Sequence, residues 1–154
     1  MHTLFIMRHG QAQQMAPSDA ERPLTDLGMQ QALESAVENL SFIEFDYVFV
    51  SPFLRAQQTW LQVQKAEIQF KHCETVEWVT PDVLTQPALD ELIKLPGDDL
   101  NVLIVCHQTF AGRLATHLVD GQTHGMHLDV ASVVKIESEV FASQCGTFVG
   151  DLEV

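Results

Sequence analysis

The sequence predicts an α/β fold: a single three-layer domain with a mainly parallel central sheet and helices on both faces. Apolar runs of strand length recur along the chain, and segments with one apolar, helix-like face lie between them. Turn-forming residues separate most of these segments. Strands that alternate with helices in this order form βαβ units, and the parallel strands of such units need helical crossovers.

Length and composition fit one domain spanning residues 1–154. A chain of this length buries roughly 68–70% of its unfolded surface, enough for a core without disulfides. The chain is 46% hydrophobic and 19% charged, which excludes a disordered chain. It has 21 acidic residues and 8 Lys plus Arg, for a net charge of −13, and this argues against nucleic-acid and anionic-membrane partners.

The first half of the chain contains two predicted strands and two predicted helices. A buried strand spans Thr3–Met7, and a polar loop follows over 11–23. Thr25 can cap a helix that runs to about Leu40. A second strand spans Asp46–Val50, and a helix is predicted over Pro52–Lys65, since proline is comfortable in the first turn.

The second half begins with a mixed segment, 66–85, in which a short strand is predicted near Val76–Val79. A helix is predicted over Pro87–Leu95. The third strong strand is the consecutive apolar run Asn101–Cys106. One helix and two weaker strands complete the prediction, over Thr109–Leu118, Ala131–Ser138 and Thr147–Val149.

Basic side chains stand where the three strong strands end. Arg8 and His9 follow the first strand, Arg55 lies just beyond the second, and His107 follows the third. Ligands of open α/β sheets bind outside the carboxyl ends of the strands, so these four side chains are expected to converge. Two guanidiniums and two imidazoles suit a tetrahedral oxyanion, because arginine pairs two phosphate oxygens at once. The sequence therefore predicts a phosphoryl-binding site.

Four ordered motifs cover residues 3 to about 118: Phe5–Gly10 (FIMRHG), Leu24–Ala32 with its Leu-Thr and Gly28, Val50–Thr59 (VSPFLRAQQT), and the apolar strand ending at His107. Together they resemble the histidine phosphatase superfamily, also called phosphoglycerate mutase-like. Within it, the chain is most similar to the SixA-type phosphohistidine phosphatases. The resemblance implies a phosphoglycerate mutase-like fold. The short segment between Thr59 and His107 leaves little room for the lid subdomain that larger relatives insert there.

The resemblance implies roles for the basic residues. His9 attacks phosphorus in line, Arg8, Arg55 and His107 neutralise the phosphoryl oxygens, and water then hydrolyses phospho-His9. No cofactor and no metal are implied. Arg22 is open to two interpretations, a substrate-binding residue at the pocket rim or a charge on the loop.

The proton donor for the leaving group is where this chain departs from the pattern of the family. Many relatives have an acidic residue directly after Arg-His-Gly, where this chain has Gln11. Glu77 is a candidate donor, because it lies near the stretch where relatives carry one. An alkoxide leaving group needs such an acid, whereas an imidazole protonated on its far nitrogen leaves as a neutral molecule. The absence of an acidic residue directly after Arg-His-Gly therefore favours a phosphoramidate substrate.

The expected function is dephosphorylation of a phosphohistidine on a phosphotransfer or phosphocarrier protein of a signalling phosphorelay. Two alternatives stay open: a small-molecule phosphomonoesterase or mutase of the same superfamily, and a non-catalytic phosphohistidine-binding module. An open site without a lid favours a protein substrate, and His9 itself favours catalysis over binding alone.

Cysteines and the remaining histidines provide no metal motif. Cys73, Cys106 and Cys145 are widely spaced without a CxxC pair, which predicts reduced thiols in the cytoplasm. The other cluster of histidines has a spacing that matches no compact metal motif and is interpreted as loop histidines: His117, His124 and His127.

Overall fold

A computed structural model describes residues 1–152, which form a six-stranded sheet between two layers of helices. The predicted domain end at residue 154 lies outside the described residues. Two short 3₁₀ helices span Asp19–Glu21 and Glu77–Val79. The other elements, in chain order, are β1 (His2–Arg8), α1 (Asp26–Asn39), β2 (Glu44–Val50), α2 (Leu54–Lys65), β3 (Gln69–Thr75), α3 (Gln86–Ile93), β4 (Asn101–Cys106), α4 (Phe110–Asp120), β5 (Val133–Ser138) and β6 (Gly146–Leu152).

The strand order is β3-β2-β4-β1-β5-β6. The pairings β3-β2, β2-β4 and β4-β1 are parallel, whereas β5 runs antiparallel to both β1 and β6. Each parallel pair is connected through helices, as the crossover rule requires. The predicted α/β class and mainly parallel sheet are confirmed.

Helices cover both faces of the sheet, as predicted. Phe5 and Met7 of β1 point into the core beneath α1 and α2, and Leu4 and Ile6 point into the core beneath α3 and α4. All four side chains are at most 2% exposed. A strand buried on both faces is apolar at consecutive positions, and this explains the apolar runs in β1 and β4.

Several predicted boundaries differ from the structure, and the largest difference concerns β3. The strand expected near Val76–Val79 lies earlier, at Gln69–Thr75, and 77–79 forms a 3₁₀ helix. β3 is an edge strand whose seven residues are all exposed, so it has no apolar run to reveal it. The helix predicted from Pro52 begins instead at Leu54, with Phe53 at its N-cap.

The segment between α2 and β4 contributes to the hydrophobic core. It forms β3, the second 3₁₀ helix and α3, whose Ala88, Leu89 and Leu92 are buried. Within residues 1–152 no lid subdomain stands over the carboxyl ends of the strands, in agreement with the prediction. The helices of this part of the chain are also too short or too polar to cross a membrane.

Sheet register brings three strand ends together. Arg8 pairs with Cys106, and Val50 pairs with Val105, so β1, β4 and β2 stop at one edge. The ladder continues one residue further, because the His9 N–H donates to Cys106 O at 3.0 Å and the Ser51 N–H donates to Val105 O at 3.1 Å. His9, Ser51 and His107 therefore leave the sheet side by side.

Candidate active site

His9 is almost fully buried at this edge, 7% exposed. Its Nδ1 lies 2.6 Å from Gly10 O. A carbonyl oxygen can only accept, so Nδ1 carries the ring hydrogen and Nε2 carries the lone pair. The Arg55 Nε–H donates to that Nε2 at 3.3 Å. Nε2 is thus the nitrogen able to act as a nucleophile.

The surroundings of His9 keep its imidazole neutral. Burial lowers its pKa to about 4, and the charges of Arg55, Arg8 and Arg22 act in the same direction. The hydrogen bond to Gly10 opposes them without reversing the shift. Because a protonated imidazole has no lone pair to offer, this depressed pKa favours nucleophilic attack at neutral pH.

His107 is fully buried and lies beside His9, with ring centroids 5.3 Å apart. Its Nε2 is 2.7 Å from Ser51 Oγ. Ser51 Oγ also accepts the Phe53 N–H at 3.3 Å. Among the described residues, the acceptor within reach of the serine hydrogen is His107 Nε2, so we assign the hydroxyl as the donor in this pair. The ring hydrogen of His107 is then on Nδ1. Burial and the neighbouring cations lower the pKa of His107 to about 2, so it acts as a neutral donor.

Two buried donors have no partner. Arg8 Nη1 donates to Leu128 O at 2.8 Å, but Arg8 Nε bonds to nothing within residues 1–152. The Nδ1 of His107 is in the same position. A buried donor left unpaired is costly, and both belong to residues next to His9: Arg8 precedes it in the chain and the His107 ring packs beside it. An anion bound there would supply the missing acceptor oxygens.

Arg55 lies in the first turn of α2, where its side chain is only 5% exposed. Besides His9 it bonds Asp19 twice: Nη1 donates to Asp19 O at 2.7 Å, and Nη2 to Asp19 Oδ2 at 3.1 Å. Its guanidinium also lies over the Phe53 ring, 5.1 Å from the centroid. These contacts fix the arginine toward the nucleophilic nitrogen.

Arg22 stands at the outer rim of the same network. Its Nη1 donates to Asp19 Oδ1 at 2.9 Å and its Nε to Gln13 O at 2.7 Å. Of the two interpretations of Arg22, the geometry favours the rim, since Asp19 links it to Arg55. Asp19 itself was missed by the sequence analysis. The spacing of an aspartate three residues before an arginine was the available signal.

Two glycines hold the turn after β1 close to α1. The Gly10 N–H donates to Thr59 Oγ1 at 3.1 Å. A Cβ on Gly10 would lie 2.2 Å from Gly28 O, and one on Gly28 would lie 2.0 Å from Gln11 O. The backbone therefore approaches more closely than any side chain allows, which accounts for the glycines in two of the sequence motifs.

Glu77 is not brought into contact with the four basic side chains. It begins the 3₁₀ helix after β3, and its exposed carboxylate makes no hydrogen bond or ion pair with the described residues. Within the same residues, no group of three or more ligating side chains could hold a metal. His117 is not a loop histidine as predicted: it is buried in α4, with Nδ1 2.8 Å from Thr85 Oγ1.

Known proteins share much of this sequence. Residues 4–77 match the sequence model of the histidine phosphatase superfamily, branch 1. The chain is 37% identical to the phosphohistidine phosphatase SixA homolog of Haemophilus influenzae over 125 residues, covering 75% of this chain and 76% of that protein. It is 35% identical to phosphohistidine phosphatase SixA of Escherichia coli K12 over 140 residues, covering 88% and 86%.

A solved structure agrees over the full length. The protein histidine phosphatase SixA complexed with tungstate superimposes with a TM-score of 0.85 at 29% identity, covering 98% of this chain and 96% of that one.

Proposed function

This chain belongs to the histidine phosphatase superfamily, and we propose that it is a protein-phosphohistidine phosphatase that works through a phospho-His9 intermediate. The observation that carries the proposal is the pair of buried, unpaired donors, Arg8 Nε and His107 Nδ1, at the same strand ends as the neutral nucleophile His9. The two SixA relatives bear the name of this activity. Tungstate, bound by the similar SixA structure, is itself a tetrahedral oxyanion.

The first step is phosphoryl transfer to His9. Its Nε2 attacks phosphorus in line, and the bond to the substrate's leaving group breaks on the opposite side. Arg8, Arg55 and His107 stabilise the charge on the phosphoryl oxygens. Their positions are set before the substrate arrives, and such preorganised donors contribute most when water is excluded. Arg22 adds positive charge at the entrance.

The second step is hydrolysis of phospho-His9. Water attacks phosphorus, the bond to Nε2 breaks, and the neutral imidazole is restored. The hydrogen bond from Nδ1 to Gly10 O holds the ring in the same tautomer throughout. Inorganic phosphate is then released from the open edge of the sheet.

Substrate choice follows from the leaving group. Among the described residues, the one carboxylate hydrogen-bonded to the basic site residues Arg8, His9, Arg55 and His107 is Asp19, which Arg22 and Arg55 hold as an anion. Glu77 makes no such contact, and its proposed role as proton donor rests on the resemblance alone. A phosphohistidine needs no such donor, because its imidazole leaves as a neutral molecule when the far nitrogen is protonated.

The partner we propose is a histidine displayed on a phosphotransfer domain or phosphocarrier protein of a cytoplasmic phosphorelay. The absence of a lid in residues 1–152 leaves the edge open to a protein surface. All three cysteines are free thiols, which suits the reducing cytoplasm. We also propose that residues 1–154 form one catalytic domain.

A substrate comparison tests this function. We expect kcat/KM for a phosphohistidine protein to exceed that for phosphoserine or sugar phosphates by at least about 10²-fold, the low end of what a positioned acid contributes. His9→Ala is the control and should abolish turnover of every substrate while the protein stays folded. Equal turnover of sugar phosphates would instead support the alternative of a small-molecule phosphomonoesterase or mutase. A loss of that turnover in Glu77→Gln would then identify Glu77 as the proton donor.

A further inference from the structure

Asp19 places a carboxylate at the mouth of a site built to bind an anion. Its backbone oxygen accepts from Arg55 at 2.7 Å, its Oδ2 from Arg55 at 3.1 Å and its Oδ1 from Arg22 at 2.9 Å. The Asp19 side chain is 56% exposed, whereas the Arg55 side chain is 5% exposed. Asp19 is thus open to solvent while it bonds the buried phosphoryl-binding arginine.

Stability alone does not account for this carboxylate. An ion pair with an exposed partner contributes little to folding. The backbone oxygen of Asp19 already holds Arg55, and it does so at the shorter of the two distances. A negative charge beside a phosphate pocket also repels the substrate's phosphoryl oxygens. The carboxylate therefore weakens phosphate binding, and its position points to a role in another part of the reaction.

We propose that Asp19 is a specificity-determining catalytic residue that accepts a hydrogen bond from the far N–H of the substrate's phosphohistidine. The proposal rests on the proposed function. In the free protein, Asp19 Oδ2 accepts a hydrogen bond from Arg55 Nη2. When a phosphoryl oxygen takes that donor, Oδ2 becomes free to turn toward the leaving imidazole, while Arg22 keeps Oδ1 in place.

The step balances without a further proton. The bond from phosphorus to the substrate's imidazole nitrogen breaks, and its electron pair stays on that nitrogen. The bond from phosphorus to His9 Nε2 forms. The hydrogen on the far nitrogen remains there, so the product is a neutral imidazole. Before the bond breaks that ring is cationic, and a carboxylate that accepts its far N–H keeps this nitrogen protonated, which is the form from which the imidazole leaves as a neutral molecule.

The same carboxylate disfavours phosphoesters. The hydrogen bond from Arg22, together with Arg55, lowers the pKa of Asp19 and keeps it ionised at neutral pH. An ionised carboxylate has no proton to give to a departing alkoxide. Asp19 therefore assists a leaving group that brings its own N–H and offers nothing to one that needs an acid.

The test compares Asp19→Asn with wild type on a phosphohistidine protein and on p-nitrophenyl phosphate, whose leaving group has no N–H. Asparagine keeps an acceptor oxygen but removes the charge. The ratio of kcat/KM for phosphohistidine to that for the aryl ester should fall about tenfold to a hundredfold, the range for losing a charged hydrogen bond. Glu21→Gln removes a charge from the same 3₁₀ helix and should leave the ratio unchanged. Asp19→Glu should restore part of it.

The pH dependence of kcat distinguishes this role from a purely structural one, because a change in structure alone would not shift the pH profile. Asp19 favours the protonated far nitrogen in the bound substrate, so the alkaline limb of kcat for phosphohistidine should shift to lower pH in Asp19→Asn. If both substrates slow equally and the limb stays in place, Asp19 merely positions Arg55 and the inference is overturned. If wild type itself shows no preference for phosphohistidine over phosphoserine and sugar phosphates, the proposed function fails and the inference fails with it.

Discussion

Two buried neutral imidazoles should make the fold sensitive to mild acid. His9 and His107 have pKa values lowered to about 4 and about 2, chiefly by burial. An imidazole in the unfolded chain has a pKa of about 6.5. Both folded-state values are depressed, so the folded protein binds fewer protons than the unfolded chain below that pH. Stability is therefore complete above pH 6.5 and is lost as the pH falls below it.

The size of the effect follows from the linkage relation. Each pH unit below the unfolded pKa costs about 1.4 kcal/mol for a group that stays neutral in the fold. At pH 5 the difference is about 1.5 units, or about 2 kcal/mol per imidazole. Together, His9 and His107 should lower the free energy of unfolding by about 4 kcal/mol between pH 8 and pH 5.

His107→Asn isolates one of these contributions. Urea unfolding of wild type and variant at pH 8 and pH 5 gives the loss of stability for each. Groups shared by both proteins cancel, so the variant should lose about 2 kcal/mol less than wild type. His124→Asn is the matched control, because it removes an exposed loop imidazole. An identical loss in wild type and His107→Asn would show that His107 is not held neutral and would refute the electrostatic account of the site.

Three further outcomes test the geometry. Ser51→Ala leaves His107 Nε2 buried without its partner, so it should lower the free energy of unfolding by about 1–3 kcal/mol and slow turnover. Ser51→Thr keeps the hydroxyl and should retain the stability and the turnover rate of the wild type. Unchanged kinetics in the alanine variant would refute the tautomer assignment. Gly28→Ala puts a Cβ 2.0 Å from Gln11 O and should destabilise the protein by about 1–3 kcal/mol in the same unfolding assay, and a stable, fully active variant would contradict that packing. Because the arginines already supply positive charge and His107 adds a neutral donor, EDTA should leave turnover unchanged. Inhibition that a divalent ion reverses would count against a metal-free site.

Sequence reasoning reached the main site because topology determines it. Once β1, β2 and β4 are parallel neighbours, the residues after each strand must share one edge. The structure brings His9, Arg55 and His107 into contact there, although about a hundred residues of chain separate the first from the last. Their catalytic roles stay predictions until tested by substitution.

What the sequence did not reveal depends on tertiary packing. Asp19 lies in a polar loop without periodicity, and only the folded chain shows its carboxylate between Arg22 and Arg55. Ser51 stood within a motif, yet its part in setting the tautomer of His107 appears only in the hydrogen bonds it makes. β3 was placed too late because all seven of its residues are exposed and its pairing with β2 supplies the strand.

The central claim is that the phosphoryl group passes through His9. Rapid alkaline quench of a single turnover with a radiolabelled phosphohistidine protein, followed by peptide mapping, tests it most directly. The account predicts label that appears transiently on the peptide containing His9 and then becomes inorganic phosphate, with neither event in His9→Ala. Release of phosphate at the wild-type rate by His9→Ala, or without labelled enzyme at any time point, would contradict it.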